Sequence, residues 1–174
     1  MFLGRLVSDK GAEMCIQLIS EFNKLGKDYT LTIIGDGPER ESLKQMVDVL
    51  DLNDCVEFTG FLEGNVMIET LNQHQFMLVP SKWEEPFGNV ALEGMACGCI
   101  PIVSDGGGLP DAVGDAGIVF KRNDIKDMMI QTKKIVSNQE KQQKLIKKAS
   151  AHLKNHTHDV VTQRYFQVIK KAIE

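Results

Sequence analysis

Short runs of apolar and β-branched residues recur along the chain, each stopped by glycine or proline and each followed by a stretch with helical spacing. This alternation is the feature that most constrains the fold. Phe2–Leu6, Thr30–Ile34, Val56–Phe58, Phe76–Val79, Ile100–Val103 and Gly117–Phe120 read as strands. Between them, apolar residues return every three or four positions, as in Cys15, Leu18, Ile19, Phe22 and Leu25, or Leu43, Met46, Val47 and Leu50. Ser8 or Asp9 is expected to cap the first of these helices, and Pro38 to take the first position of the second. Shorter helices are expected at Glu63–Leu71 and Leu109–Val113. Three longer ones follow, over 124–138, 140–154 and 159–173. Strands alternating with helices in this way predict a parallel, doubly wound α/β sheet of Rossmann-like type, as a single domain. At 174 residues the chain is long enough to bury a core of that kind.

In such a sheet ligands bind beyond the carboxyl ends of the strands. Five loops are therefore expected on one edge: Gly4 to Lys10, Gly35-Asp36-Gly37-Pro38, Gly60-Phe61, Ser81 to Gly88, and Ser104 to Gly108. Neither G-x-x-x-x-G-K-[S/T] nor G-x-G-x-x-G follows the first strand, which excludes the P-loop and dinucleotide fingerprints. The most informative stretch is Trp83–Cys99. There a loop ending in Pro86-Phe87-Gly88 opens directly into a helical pattern, with Glu85 before the junction and Glu93 about one turn into the helix. A helix starting on such a turn presents free N–H groups and its positive dipole end to an anion. Arg5 and Lys10, in the first loop, are cations suited to phosphate oxygens.

Two carboxylates so placed also fit a glycosidase, whose pair stands about 5–5.5 Å or about 6.5–9.5 Å apart. Eight residues of unbroken helix would separate them by about 12 Å, but Pro86 interrupts it. A phosphate-binding helix start between the two acids is something a hydrolase does not need, and nucleotide-sugar binding accounts for it.

Charge is unevenly distributed. Residues 1–120 carry 7 Lys/Arg against 19 Asp/Glu, and residues 121–174 carry 13 against 5. An acidic body excludes nucleic acid as the partner of the main domain. The basic end suits a solvated lysine face or peripheral contact with an anionic membrane surface. No segment has the roughly 20 apolar residues of a membrane span. Cys15, Cys55, Cys97 and Cys99 lack C-x-x-C or zinc spacing, so they read as free thiols of a reducing cytoplasm. His152 and His156 share a helical face without a carboxylate to complete a metal set. His74 stands alone and reads as structural.

Taken in order, G-R-L-x-x-x-K-G at Gly4–Gly11, G-D-G-P at Gly35–Pro38, V-x-F-x-G at Val56–Gly60 and P-S-x-x-E-P-F-G-x-x-x-L-E at Pro80–Glu93 form a pattern. A-x-G-x-P-x-V at Ala96–Val103 and G-G-L-P-D follow. The pattern resembles the C-terminal, donor-binding domain of retaining glycosyltransferases of group 1 (family four), which have the two-domain GT-B architecture. The resemblance implies a hexosyltransferase using a UDP-, GDP- or ADP-sugar. Arg5 and Lys10 would bind the diphosphate, Glu85 the donor sugar and Glu93 the ribose. Backbone N–H groups around Phe87, Gly88, Asn89 and Val90 would hold sugar and phosphates, and Gly60-Phe61 would lie near the base. It further implies that no metal or other cofactor is required and that Glu85, Arg5 and Lys10 are the catalytic group. The acceptor, a glycan or lipid-linked glycan of polysaccharide biosynthesis, would be read by an N-terminal domain absent from this chain. The isolated domain is then expected to bind nucleotide weakly without turnover, in the cytoplasm or at the inner face of the membrane. A nucleotide-sugar epimerase-like protein and a non-catalytic nucleotide-binding module are the alternatives. Departures from the family pattern are Asp111, where Glu is usual, and Gly94, where Ala is common. Part of the stripe Val161, Tyr165, Val168 and Ile169 on the last helix is expected to be exposed.

Overall fold

The computed structural model describes residues 1–173. Six parallel strands form one sheet: β1 (Phe2–Leu3), β2 (Leu31–Ile34), β3 (Val56–Gly60), β4 (Phe76–Val79), β5 (Ile100–Ser104) and β6 (Ile118–Phe120). Their order across the sheet is β3-β2-β1-β4-β5-β6. Among the described residues the α-helices are α1 (Ala12–Lys24), α2 (Arg40–Val49), α3 (Gly64–Asn72), α4 (Asn89–Ala96), α5 (Leu109–Val113), α6 (Ile125–Val136), α7 (Gln139–Leu153) and α8 (His158–Ile173).

The two-residue period of the strands divides their side chains between two cores. Phe2, Ile33, Leu78 and Ile102 enter the core built with α1, α2 and α6. Ile34, Met77, Val79 and Val103 enter the opposite core, built with α3, α4 and α5. Both faces of the sheet are covered, which is why β2 and β5 are buried along their whole length. Pro101 fits inside β5 because successive amides of a parallel strand face opposite neighbours. Ile100 N donates toward β4, to Gln75 O. Pro101 therefore faces β6, whose pairing starts only at Ile102.

Three local expectations are corrected. The first strand ends at Leu3, not Leu6, because the chain leaves the ladder to bond with the next loop: Leu6 N donates to Asp36 O at 2.9 Å. Ser8 and Asp9 do not cap α1. They belong to a 3-10 turn over Ser8–Lys10, and Gly11 is the N-cap with φ 70°. A Cβ at Gly11 would stand 2.3 Å from Pro80 O, so the backbone passes where only glycine fits. Pro38 lies in the turn ahead of α2, two residues before its first residue.

The order reverses between β1 and β4. Loops leaving those two strands diverge to opposite faces, and the crevice between them is where a parallel sheet of this kind takes ligands.

Candidate functional site

The loop after β1 and the loop after β4 are joined across the reversal point. Asp9 O accepts from Lys82 N at 2.7 Å and from Trp83 N at 3.3 Å. Lys82 also pairs with Glu13 in the first turn of α1. Lys10 pairs with Glu85, a contact between residues 75 apart in sequence. Ser81 Oγ donates to the same Glu85 Oε1 at 2.8 Å.

A cleft of about 480 Å³ opens above this junction. Arg5 and Lys10 line it from the first loop, Asp36 from the second and Phe61 and Leu62 from the third. Ser81 and Glu85 come from the loop after β4, and Val90 and Glu93 from α4. The two cations, two glutamates, Phe61 and Val90 expected from sequence thus meet in one cleft. Arg5 is exposed and, among the described residues, has no carboxylate within ion-pair distance. Asp36 is tied to Gly37 N at 2.7 Å and to Arg40 at 2.8 Å, which hold its carboxyl below the usual carboxylate range, the backbone bond contributing most.

No side chain caps α4, so its first-turn N–H groups remain without side-chain acceptors. The side chains of Phe87 and Asn89 do not enter the cleft. They line a second cavity of about 670 Å³ on the other side of the turn, facing His156, Arg164 and Tyr165. Of Phe87, Gly88, Asn89 and Val90, only Val90 is among the cleft-lining residues. Gly88 packs on Leu109 and Ala112 of α5, and Gly60 O accepts from Gly35 N at 2.8 Å. Neither glycine is among the cleft-lining residues, and Asp111 lies outside the lining as well.

Sequence spacing gave no hint of what Gly106-Gly107-Gly108 does. These residues form the bed of the Glu85 loop. Gly108 N donates to Glu85 O at 2.7 Å, and a Cβ on Gly107, at φ +60°, would stand 2.2 Å from that same oxygen. The role of Ser81 was likewise missed; the available signal was a hydroxyl four residues before Glu85 at a strand end.

His74, His152, His156, Cys15 and Cys99 lie outside the cleft, in packing or hydrogen bonds elsewhere. His74 Nδ1 donates to Thr70 O at 2.7 Å and its Nε2 accepts from Thr32 Oγ1 at 2.9 Å. His152 lies on a packed helix face rather than a solvated one. It is half-buried over Gly114 and donates Nε2–H to Ala112 O at 2.8 Å. His156 stacks between His152 and Phe87, with ring centroids at 4.5 and 5.6 Å. Burial pushes the Cys15 thiol up to about 12 and the Cys99 thiol up to about 11, so both are inert at neutral pH. Among the described residues no group of three His, Cys, Asp or Glu is arranged to hold a metal ion. Among the described residues no helix is long and apolar enough to cross a membrane. None of the residues of α8 is buried, and Tyr165, Val168 and Ile169 of its apolar stripe are exposed, as the resemblance implies for part of that stripe.

A parallel sheet in this order, with a charged cleft at its reversal and a free helix start beside it, defines a Rossmann-like domain of the nucleotide-binding type. The family model for glycosyl transferases group 1 matches residues 1–152, and the chain belongs to that family. It is 36% identical over 114 residues to 2-deoxystreptamine glucosyltransferase of Streptomyces kanamyceticus, covering 65% of this chain and 29% of that protein. The chain spans about a third of the length of the curated relatives it matches. Among solved structures it is similar to Anabaena HepE in complex with UDP and glucose, with TM-score 0.80 and 22% identity over 98% of this chain and 47% of that one. It is also similar to the catalytic domain of cholesterol-α-glucosyltransferase from Helicobacter pylori, with TM-score 0.76 and 19% identity over 89% of this chain and 96% of that one.

Proposed function

We propose that this chain binds the nucleotide-diphospho-sugar donor of a retaining glycosyltransferase. The observation that carries the reading is the convergence of Arg5, Lys10, Glu85 and Glu93 in one cleft beside the uncapped start of α4. Family membership and the UDP and glucose bound by HepE support it. Arg5, Lys10 and the α4 dipole take the diphosphate, Glu85 the sugar hydroxyls and Glu93 the ribose. Backbone N–H groups from Phe87 to Val90 hold the phosphates, and the base lies toward Gly60-Phe61. As the glycosidic bond breaks, negative charge builds on the leaving diphosphate. Fixed cations and amides at that position stabilise the transition state more than the ground state. They make a metal unnecessary, so EDTA leaves donor binding unchanged. The acceptor, a glycan or lipid-linked glycan at the cytoplasmic face of a membrane, is read by a second domain, and turnover requires it. Group 1 membership favours this reading over an epimerase or a non-catalytic module.

The test is calorimetry with UDP, GDP and ADP. One of the three is expected to bind saturably. Lys10→Ala weakens that binding by about 10- to 100-fold, the worth of a hydrogen bond to a charged group. Absence of binding by all three would refute the reading.

A further inference from the structure

Glu85 is anchored on one oxygen only. Lys10 and Ser81 both donate to Oε1, and among the described residues Oε2 has no partner although Glu85 lines the cleft. The two anchors differ in what a ligand does to them. Lys10 is a partly exposed cation in the same cleft, and a bound diphosphate competes for it. Ser81 is 1% exposed and cannot follow a ligand. Its hydroxyl has one proton and two acceptors in reach, Glu85 Oε1 at 2.8 Å and Asp9 O at 3.1 Å. Asp9 O already accepts from Lys82 N and Trp83 N, so the proton belongs to Glu85. The Ser81 backbone is fixed in turn, because the buried Ser104 hydroxyl donates to Ser81 O at 2.7 Å. Ser104 ends β5 and Ser81 follows β4, so the hydroxyl chain ties Glu85 to two adjacent central strands.

We propose that Ser81 is the positioning residue for Glu85: it keeps Oε2 aimed into the cleft once Lys10 has turned to the diphosphate. The inference rests on the reading of Glu85 as the ligand of the donor sugar. In the nucleotide-free cleft Lys10 and Ser81 share the work. In the occupied cleft Ser81 does it alone, so its loss is felt by the sugar and not by the nucleotide.

The experiment measures affinity for UDP, GDP and ADP and for their glucose conjugates by calorimetry. The nucleotide that binds and its conjugate serve as the pair, compared in wild type, Glu85→Gln and Ser81→Ala. Glu85→Gln is expected to lower the affinity for the conjugate relative to the bare nucleotide by about tenfold, and Ser81→Ala to do the same while leaving the bare nucleotide at its wild-type affinity. A purely structural role for Ser81 would instead move both affinities together. If Ser81→Ala does not fold, Ser81→Cys carries the same expectation, since its near-isosteric thiol is a weak donor. A Ser81 variant that keeps the wild-type ratio while Glu85→Gln loses it overturns this inference and leaves the donor reading standing. A Glu85→Gln variant that keeps the ratio, or a wild type that binds none of the three nucleotides, overturns the donor reading and the inference with it.

Discussion

Replacing Gly107 by alanine tests how tightly the Glu85 loop is held by its glycine bed. Two costs add. The first is conformational: φ is +60°, and an L side chain in the left-handed region costs about 1–2 kcal/mol. It is offset by roughly 0.4–1 kcal/mol from the smaller entropy of the unfolded chain. The second cost is contact. The new Cβ would lie 2.2 Å from Glu85 O, 2.7 Å from Glu84 C and 2.7 Å from Glu85 N. All three are backbone atoms, so the loop itself must move, and overpacking of this kind costs about 1–3 kcal/mol. The sum is roughly 1–5 kcal/mol, which for a domain of this size is a fall in Tm of about 2–20 °C. Gly26 supplies the control: its φ is +64°, yet nothing lies within 4 Å of its Cβ position. Gly26→Ala isolates the conformational part and is expected to lose about 1 kcal/mol, or about 2–4 °C. Moving the Glu85 loop by about an ångström also misplaces its carboxylate, an error that can cost on the order of 100-fold in function. Thermal denaturation of both variants, with calorimetry against the nucleotide that binds and its glucose conjugate, reads both effects. Gly107→Ala with the stability of Gly26→Ala and wild-type affinity for the conjugate would refute the reasoning.

Two further outcomes are expected. Burial lowers the pKa of His74 below the ordinary value near 6.5, against the opposing pull of its hydrogen bond to Thr70 O. The unfolded state then binds more protons between the two pKa values, so the contribution of His74 is present above about pH 6.5 and is lost as the pH falls below it. Denaturation at pH 7.5 and 5.5 should show wild type losing more stability on acidification than His74→Gln; equal losses would remove the claim. Gly94 stands where a Cβ would meet Met77 Sδ and Cε, both at 2.5 Å. Gly94→Ala and Met77→Val are therefore expected to couple by about 1 kcal/mol or more in a double-mutant cycle, the valine making room for the alanine. Additive effects would show that Met77 does not account for the glycine.

The helices and strands were legible because each is a complete local signal. Phe76–Val79 and Leu109–Val113 have the bounds their apolar runs predict, and Leu31–Ile34 is buried end to end as a β-branched run between two helices should be. The ends of elements were less legible where a distant segment decides them. Ser8 and Asp9 have the chemistry of a cap, but the chain must pass beneath Pro80, and Gly11 became the cap instead. His152 lies on a lysine-rich helix, and only the missing Cβ of Gly114 gives its ring a place to pack.

The same division runs through the candidate site. The sequence by itself determined which residue types stand at strand ends: Arg5, Lys10 and Glu85 in loops, Glu93 one turn into a helix whose start is free. Local composition suffices for that, because side-chain alternation, turn residues and helical period act over a few positions. Only the tertiary structure decided that the loop after β1 meets the loop after β4, since strand order is set by packing between segments tens of residues apart. From that order follow the pairing of Lys10 with Glu85, the hold of Ser81 on one carboxylate oxygen, the glycine bed beneath the loop, and the division of the Pro86–Val90 turn between two cavities.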